Sequence, residues 1–304
     1  MTRGLIALVL ALTAVAPPHA APAPTRLLFI GNSFTFGELS PVHFWRNDSV
    51  TDLNHEGIGG MPALFKALTT EAGLDYTVSL ETHPGVGIDW HLANKLDVVT
   101  AQPFDAVVMH GYSTLDANKP GDPATLIDTA TRMAEALRRV NPKINVHLMA
   151  TWSRADQTYP QGRPWFGKPI ATMGRDVRAG YDKAAQAAHA ASVIPVGDAW
   201  NRAFDTGVAD TNPYDGIDAG KVNLWAVDSY HASAYGYYLE ALTVFGAVTG
   251  IDPRSFGTTE CAAYELGFST TQTKALQQVA FDQLAAEQRT MTALTPAARA
   301  ARCK

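Results

Sequence analysis

From Leu27 to about Gly250 the chain alternates short, unbroken apolar runs with longer stretches whose apolar positions recur at helical spacing. The runs are Leu27–Ile30, Tyr76–Leu80, Ala106–Met109, Val146–Met149 and Val193–Val196. They are continuous rather than alternating, as expected of strands covered on both faces in a parallel sheet. Between them lie helix candidates over Pro62–Ala72, Pro123–Arg139 and Met173–Ala190. Parallel strands need crossovers, and right-handed crossovers place helices on both faces of the sheet. The pattern predicts a flavodoxin-like three-layer α/β/α sandwich with a mainly parallel five-stranded sheet over residues 25–250.

Some stretches depart from this alternation. Gly37–Gly60 is polar and mixed, and Ser153–Pro169 is rich in Pro, Gly, Trp and Arg. Long loops in compact domains are usually functional, so both are candidate walls of a site. Past Gly250 the pattern becomes a loop and then one helix. Ser269 and Gln272 have capping-box spacing, and Leu276, Val279, Ala280 and Leu284 share a helical face. Residues 251–304 therefore read as a C-terminal helical extension packed on the main domain.

The first residues bear on compartment. Arg3 precedes the uncharged apolar run Gly4–Ala16, and Pro17-Pro18-His19-Ala20-Ala21 follows. That is the layout of a cleaved signal peptide over residues 1–21. The run is shorter than the roughly 20 apolar residues a spanning helix needs. The expectation is a secreted or periplasmic protein with no membrane anchor after cleavage. Hydrophobic residues at 46% and charged residues at 17% suit a globular domain. The net charge of -5, with no Lys/Arg run in the mature chain, argues against nucleic acid or an anionic membrane as partner. An exporting route would permit a disulfide between Cys261 and Cys303, the two cysteines of the chain. Neither has a neighbouring His or Asp that would make it a nucleophile.

Sites in open α/β sheets form at the carboxyl ends of the strands. The loop after the first strand reads Gly31-Asn32-Ser33-Phe34-Thr35-Phe36-Gly37. Gly31 permits a sharp turn that presents the Ser33 hydroxyl at the sheet edge. Taken alone, Ser33 reads more readily as a helix cap. A second feature is Asp228-Ser229-Tyr230-His231, ahead of the helical run Ala232–Val248. A serine hydroxyl is a weak nucleophile until a base held in one tautomer removes its proton. At this spacing Asp228 can hold one ring nitrogen of His231 while the other faces Ser33. The bland alternative is a capping Asp beside an unrelated His.

Together, Leu28-Phe29-Ile30-Gly31-Asn32-Ser33-Phe34-Thr35 and Asp228 to Leu239 resemble the two ends of the SGNH (GDSL-like) hydrolase pattern. Pro195-Val196-Gly197-Asp198-Ala199-Trp200 is similar to the strand and turn before the terminal loop in its Gly-Asn-Ser branch. The resemblance covers nearly the whole mature chain. It implies Ser33 as nucleophile, His231 as base and Asp228 as its orienter, acting on ester or acyl substrates without a cofactor. It also implies an oxyanion hole of the Ser33 N–H, a Gly N–H after strand two and a side chain after strand three. Gly85 is preferred for the second, with Gly87 close behind. Gly57-Ile58-Gly59-Gly60 precedes that strand and is set aside. After strand three the sequence departs from the pattern. His110-Gly111-Tyr112-Ser113 stands where Gly-x-Asn-Asp is expected, leaving Ser113 or His110 as the replacement donor.

Other features weigh less. Gly111-Tyr112-Ser113 is similar to a nucleophile elbow, but Leu115 replaces its second Gly. His43, His55, His83 and His91 form no tight ligand motif, so no metal is expected. Trp152, Arg154, Tyr159, Trp165 and Phe166 either line a sugar-binding cleft or pack a loop. The expectation is an exported serine esterase taking a small-molecule or glycan ester, with a carbohydrate O-acetyl group as the substrate guess. Its rivals are a non-catalytic carbohydrate-binding protein on a degenerate SGNH fold and a metal-dependent hydrolase.

Overall fold

The computed structural model describes residues 23–294. Its sheet is built outward from β1 (Thr25–Gly31). Leu27 and Phe29 belong to one core and Leu28 and Ile30 to another, and all four are buried. Such a strand has to be covered on both faces. The other strands are β2 (Thr51–Asp52), β3 (Tyr76–Thr82), β4 (Ala106–Met109), β5 (Asn145–Ala150) and β6 (Ser192–Pro195). Their order is β2-β3-β1-β4-β5-β6, with every pairing parallel.

The helices are α1 (Ser33–Phe36), α2 (Gly60–Glu71), α3 (Ile88–Asn94), α4 (Leu96–Val99), α5 (Ala124–Val140) and α6 (Ala155–Thr158). They continue as α7 (Ala171–Ala187), α8 (Val196–Asp205), α9 (Ala234–Thr249), α10 (Cys261–Glu265) and α11 (Thr270–Ala286). Apolar residues of α2, α8, α9 and α11 join the core containing Phe29, and those of α3, α5 and α7 join the core containing Ile30. This is the expected three-layer sandwich. No helix among the described residues is long and apolar enough to cross a membrane.

The sheet has six strands where the apolar runs indicate five. The extra one, β2, pairs only Thr51 with Ser79 and Asp52 with Leu80, so an edge strand this short leaves no apolar run. At the other edge Val196 opens α8 rather than closing β6. Glycine is needed at position 197, because a side chain there would collide with the Thr151 carbonyl. The capping box at Ser269 and Gln272 is formed at the start of α11. Leu276, Val279, Ala280 and Leu284 are buried in the same core as Trp200 and Tyr237, and α11 packs on α9. Residues 1–21, which the sequence pattern assigns to a signal peptide, and Cys303, and with it the expected Cys261 pairing, lie outside the described residues.

One core residue conflicts with its surroundings. Glu240 on α9 is fully buried, and neither carboxyl oxygen has a hydrogen-bond partner among the described residues. Burial drives its pKa well above the usual carboxylate range, so it is held protonated. The unfolded chain releases that proton in the ordinary range while the folded one keeps it. The stability Glu240 lends is thus present at acid pH and lost as the pH rises. Glu240→Met should raise the melting temperature at about pH 8 and much less at about pH 4. Thermal unfolding of both proteins at the two pH values checks this, and an equal shift at both would refute it.

Candidate active site

The turn after β1 is shaped by contacts from three loops. A side chain on Gly31 would strike Thr35 Oγ1 and the His110 ring, so glycine is required there. Asn32 caps α1: its Oδ1 accepts from the Phe34 amide at 3.0 Å. Its Nδ2 donates to the carbonyls of Val86, at 2.8 Å, and Gly111, at 3.3 Å. An aspartate has no N–H to give those two carbonyls, which explains asparagine at this place. Below the turn, His91 Nε2 lies 2.9 Å from the Gly31 carbonyl, while Nδ1 is paired with the fully buried Glu81 carboxylate. Ser33 follows as the first residue of α1, and the Tyr237 hydroxyl donates to its carbonyl at 2.8 Å. Among the described residues neither the Ser33 N–H nor its Oγ has a hydrogen-bond partner.

The Asp228–His231 loop is equally constrained. Ala226 N donates to the His231 carbonyl at 2.7 Å, and Ser229 N to the Ala226 carbonyl at 3.0 Å. Ser229 takes a left-handed φ of 58°, a costly conformation outside glycine. Asp228 Oδ2 accepts from His231 Nδ1 at 2.6 Å. Its Oδ1 accepts from the backbone N–H groups of Tyr230, at 3.1 Å, and His231, at 3.0 Å. Burial alone would raise the Asp228 pKa, but the His231 ring and these amides outweigh it and hold the carboxyl below its usual range. A proton on Nδ1 leaves the Nε2 lone pair as the open position of the ring. Ser33 and His231 share Phe34 as a neighbour: its ring lies 5.9 Å from that of His231 and stacks at 3.9 Å on Trp152. Trp152 stacks in turn on Trp200, giving this corner an aromatic floor. Among the described residues no hydrogen bond joins Ser33 to His231.

Beside the turn is a cavity of 210 Å³, lined by Asn32, Gly85, Tyr112, Ser113, Arg154 and Tyr230 among others. Gly85 has φ +72°, and its N–H has no partner among the described residues. Gly87 differs, because its backbone group is hydrogen-bonded to the Tyr112 hydroxyl. Ser113 lines the cavity, and its Oγ accepts from Arg154 Nη1 at 3.1 Å. His110, the other candidate for the third donor, is corrected by the structure. Its Nδ1 bonds the Gly111 carbonyl at 3.0 Å and its Nε2 bonds Thr35 Oγ1 at 2.8 Å. Both nitrogens are therefore committed, and burial lowers its pKa to about 4. His110 is a structural link across the turn.

Of the two readings of the loop aromatics, packing is the one that describes most of them. Trp152 and Trp165 are core residues, and Trp165 Nε1 donates to Asp176. Tyr159 donates to the Thr211 carbonyl and packs on Tyr214, while Phe166 is exposed. Of that group Arg154 alone lines the cavity. The early-loop histidines are dispersed: His43 packs on Phe36 and Phe44, His83 stacks on Trp90, and His91 is paired with Glu81. Among the described residues no three His, Cys, Asp or Glu side chains group as a metal site.

No protein-family model matches this sequence, and no curated protein matches it. Solved structures do. A DUF4886 family protein from Bacteroides uniformis superposes with a TM-score of 0.57 at 15% identity, over 90% of this chain and 98% of that one. A candidate GDSL-like lipase from Parabacteroides merdae superposes with a TM-score of 0.53 at 16% identity, over 74% and 95%. A candidate SGNH hydrolase from Slackia heliotrinireducens gives 0.51 at 19% identity, over 74% and 100%. At such identities the likeness is one of fold, and the chain has the SGNH hydrolase fold.

Proposed function

We propose that the protein is a serine esterase in which Ser33, His231 and Asp228 act as a triad. The observation that carries this is a pairing of open valences at one corner of the fold. A histidine held by a carboxylate through Nδ1 leaves Nε2 without a partner among the described residues. Its ring packs on Phe34, the residue after a serine whose hydroxyl and N–H are likewise unclaimed among them. In this reading Ser33 Oγ attacks an ester carbonyl carbon while its proton passes to His231 Nε2. Charge on the carbonyl oxygen is met by the N–H groups of Ser33 and Gly85 and by the Ser113 hydroxyl. The carbon–oxygen bond to the alcohol then breaks, and His231 returns its proton to the departing oxygen. Water, deprotonated by His231, cleaves the acyl-serine and restores the enzyme. No cofactor enters this cycle.

The small cavity, walled by Arg154, Ser113 and the Gly85 backbone, favours a short acyl group on a polar alcohol. A carbohydrate O-acetyl ester fits that description. The signal-peptide pattern of residues 1–21 makes the working place secreted or periplasmic. The test is hydrolysis of an activated acetate ester by the mature protein, with fluorophosphonate labelling read by peptide mapping. Saturable turnover with the label on Ser33 supports the reading. Folded protein with neither turnover nor label sinks it and favours a carbohydrate-binding role.

A further inference from the structure

Arg154 is not used by the triad, yet it touches both halves of the site. Its Nε donates to Asp156 Oδ1 at 2.9 Å and its Nη2 to Asp156 Oδ2 at 2.6 Å, a two-point anchor that fixes the guanidinium plane. Its Nη1 donates to Ser113 Oγ at 3.1 Å, on the loop after β4. Its flat face lies over the Tyr230 ring, 3.5 Å from the centroid. Tyr230 in turn packs against the His231 ring at 4.0 Å and the Phe34 ring at 5.3 Å. The anchor is tied to the same loop, because the Asp156 N–H donates to the Ser229 carbonyl at 3.2 Å and Trp152 Nε1 to the Tyr230 carbonyl at 3.2 Å. The group is largely shielded from water, with the Arg154 side chain 14% exposed.

The consequence for Ser113 is directional. A hydroxyl has one hydrogen to give and lone pairs to receive. With Arg154 donating to its oxygen, the hydrogen is left for another acceptor, and none is present among the described residues. Ser113 lines the same cavity as Asn32, Gly85 and Arg154 itself. A cationic donor behind it also polarises the O–H bond, strengthening it as a donor.

We propose that Arg154 is a positioning residue, which aims the Ser113 hydroxyl at the reacting carbonyl oxygen and locks that donor in register with the loop carrying His231. Ser113 then replaces the side-chain amide absent after β4, and Arg154 is what makes a hydroxyl adequate for the task. This rests on the esterase reading above.

The test is a double-mutant cycle on the full mature chain, with kcat and KM measured on an activated acetate ester. Ser113→Ala and Arg154→Met should each lower kcat about 100-fold, since an oxyanion donor acts on the transition state and leaves KM nearly unchanged. The double variant should lose little more than either single one, because both remove the same interaction. Arg154→Lys should recover less than about a tenth of the lost rate. An ammonium cannot bond Asp156 at two points, reach Ser113 and lie flat on Tyr230 together. If Arg154→Met does not fold, Arg154→Lys and Ser113→Ala complete the same cycle. Losses that multiply, or a loss carried by KM alone, would overturn the role of Arg154 while Ser33-dependent turnover of the unmodified protein upheld the esterase. Absence of that turnover would remove both.

Discussion

Ser33→Ala should lower kcat on an activated acetate ester by about a million-fold, the scale seen when a triad serine is deleted. The fluorophosphonate label should disappear with it. Stability should hardly move, which makes the experiment clean. Ser33 Oγ has no hydrogen-bond partner among the described residues, so removing it breaks no contact of the fold. Its carbonyl keeps the bond from Tyr237, and Asn32 keeps its cap on the Phe34 amide. Melting temperature measured beside kcat separates the outcomes. Lost activity in an equally stable protein assigns the chemistry to that oxygen. Retained activity would show that another group performs the attack and that the open valences at this corner are coincidental.

Asp228→Asn should cost about ten-thousand-fold in kcat, through the tautomer of His231 rather than through its position. The variant amide oxygen can still accept from the Tyr230 and His231 N–H groups, as Oδ1 does now. The other end of the side chain becomes an NH₂ facing Nδ1, where the native Oδ2 accepts. Two donors cannot share that contact, so the ring proton moves to Nε2 and its lone pair is no longer available to Ser33. Stopped-flow labelling with fluorophosphonate checks this directly, because acylation of Ser33 also needs the base. A labelling rate unchanged in Asp228→Asn would remove Asp228 from the triad. The substitution also alters acid sensitivity. The native carboxyl is held below its usual range, so it stabilises the fold above that range and ceases to do so as pH falls. The amide lacks this dependence.

The central strands were legible because burial on both faces leaves an unbroken apolar run, a local signal that needs no partner. β2 left no such signal, since Thr51 and Asp52 are polar and pair at an edge. The triad candidates were legible for a similar reason. Asp228 and His231 are three residues apart, and Ser33 follows the glycine that ends a strand. What pattern could not supply lies in contacts distant along the chain. The carbonyls bonded by Asn32 are 54 and 79 residues away. Ser113 and Arg154 are separated by 41. The commitment of both His110 nitrogens could not be read from sequence, because Thr35 meets the ring only when β1 and β4 pair. The aromatic loop was left open between cleft and packing because composition does not say which rings turn inward. Trp152 is enclosed between Phe34 and Trp200, with one side supplied by the nucleophile turn itself.

The place of α11 has a bearing on how the chain is made. Its apolar stripe closes the layer that holds Phe29, Trp200 and Tyr237, and Leu284 packs where a side chain on Gly246 would stand. Synthesis runs from the amino end, so the strands and Ser33, Asp228 and His231 all leave the ribosome before this helix exists. Until Leu284 is made, the outer faces of α8 and α9 present bare apolar surface, which invites self-association or a holding chaperone. The nascent chain is therefore denied an early finished core and stays open to capture in extended form until its last turns are translated.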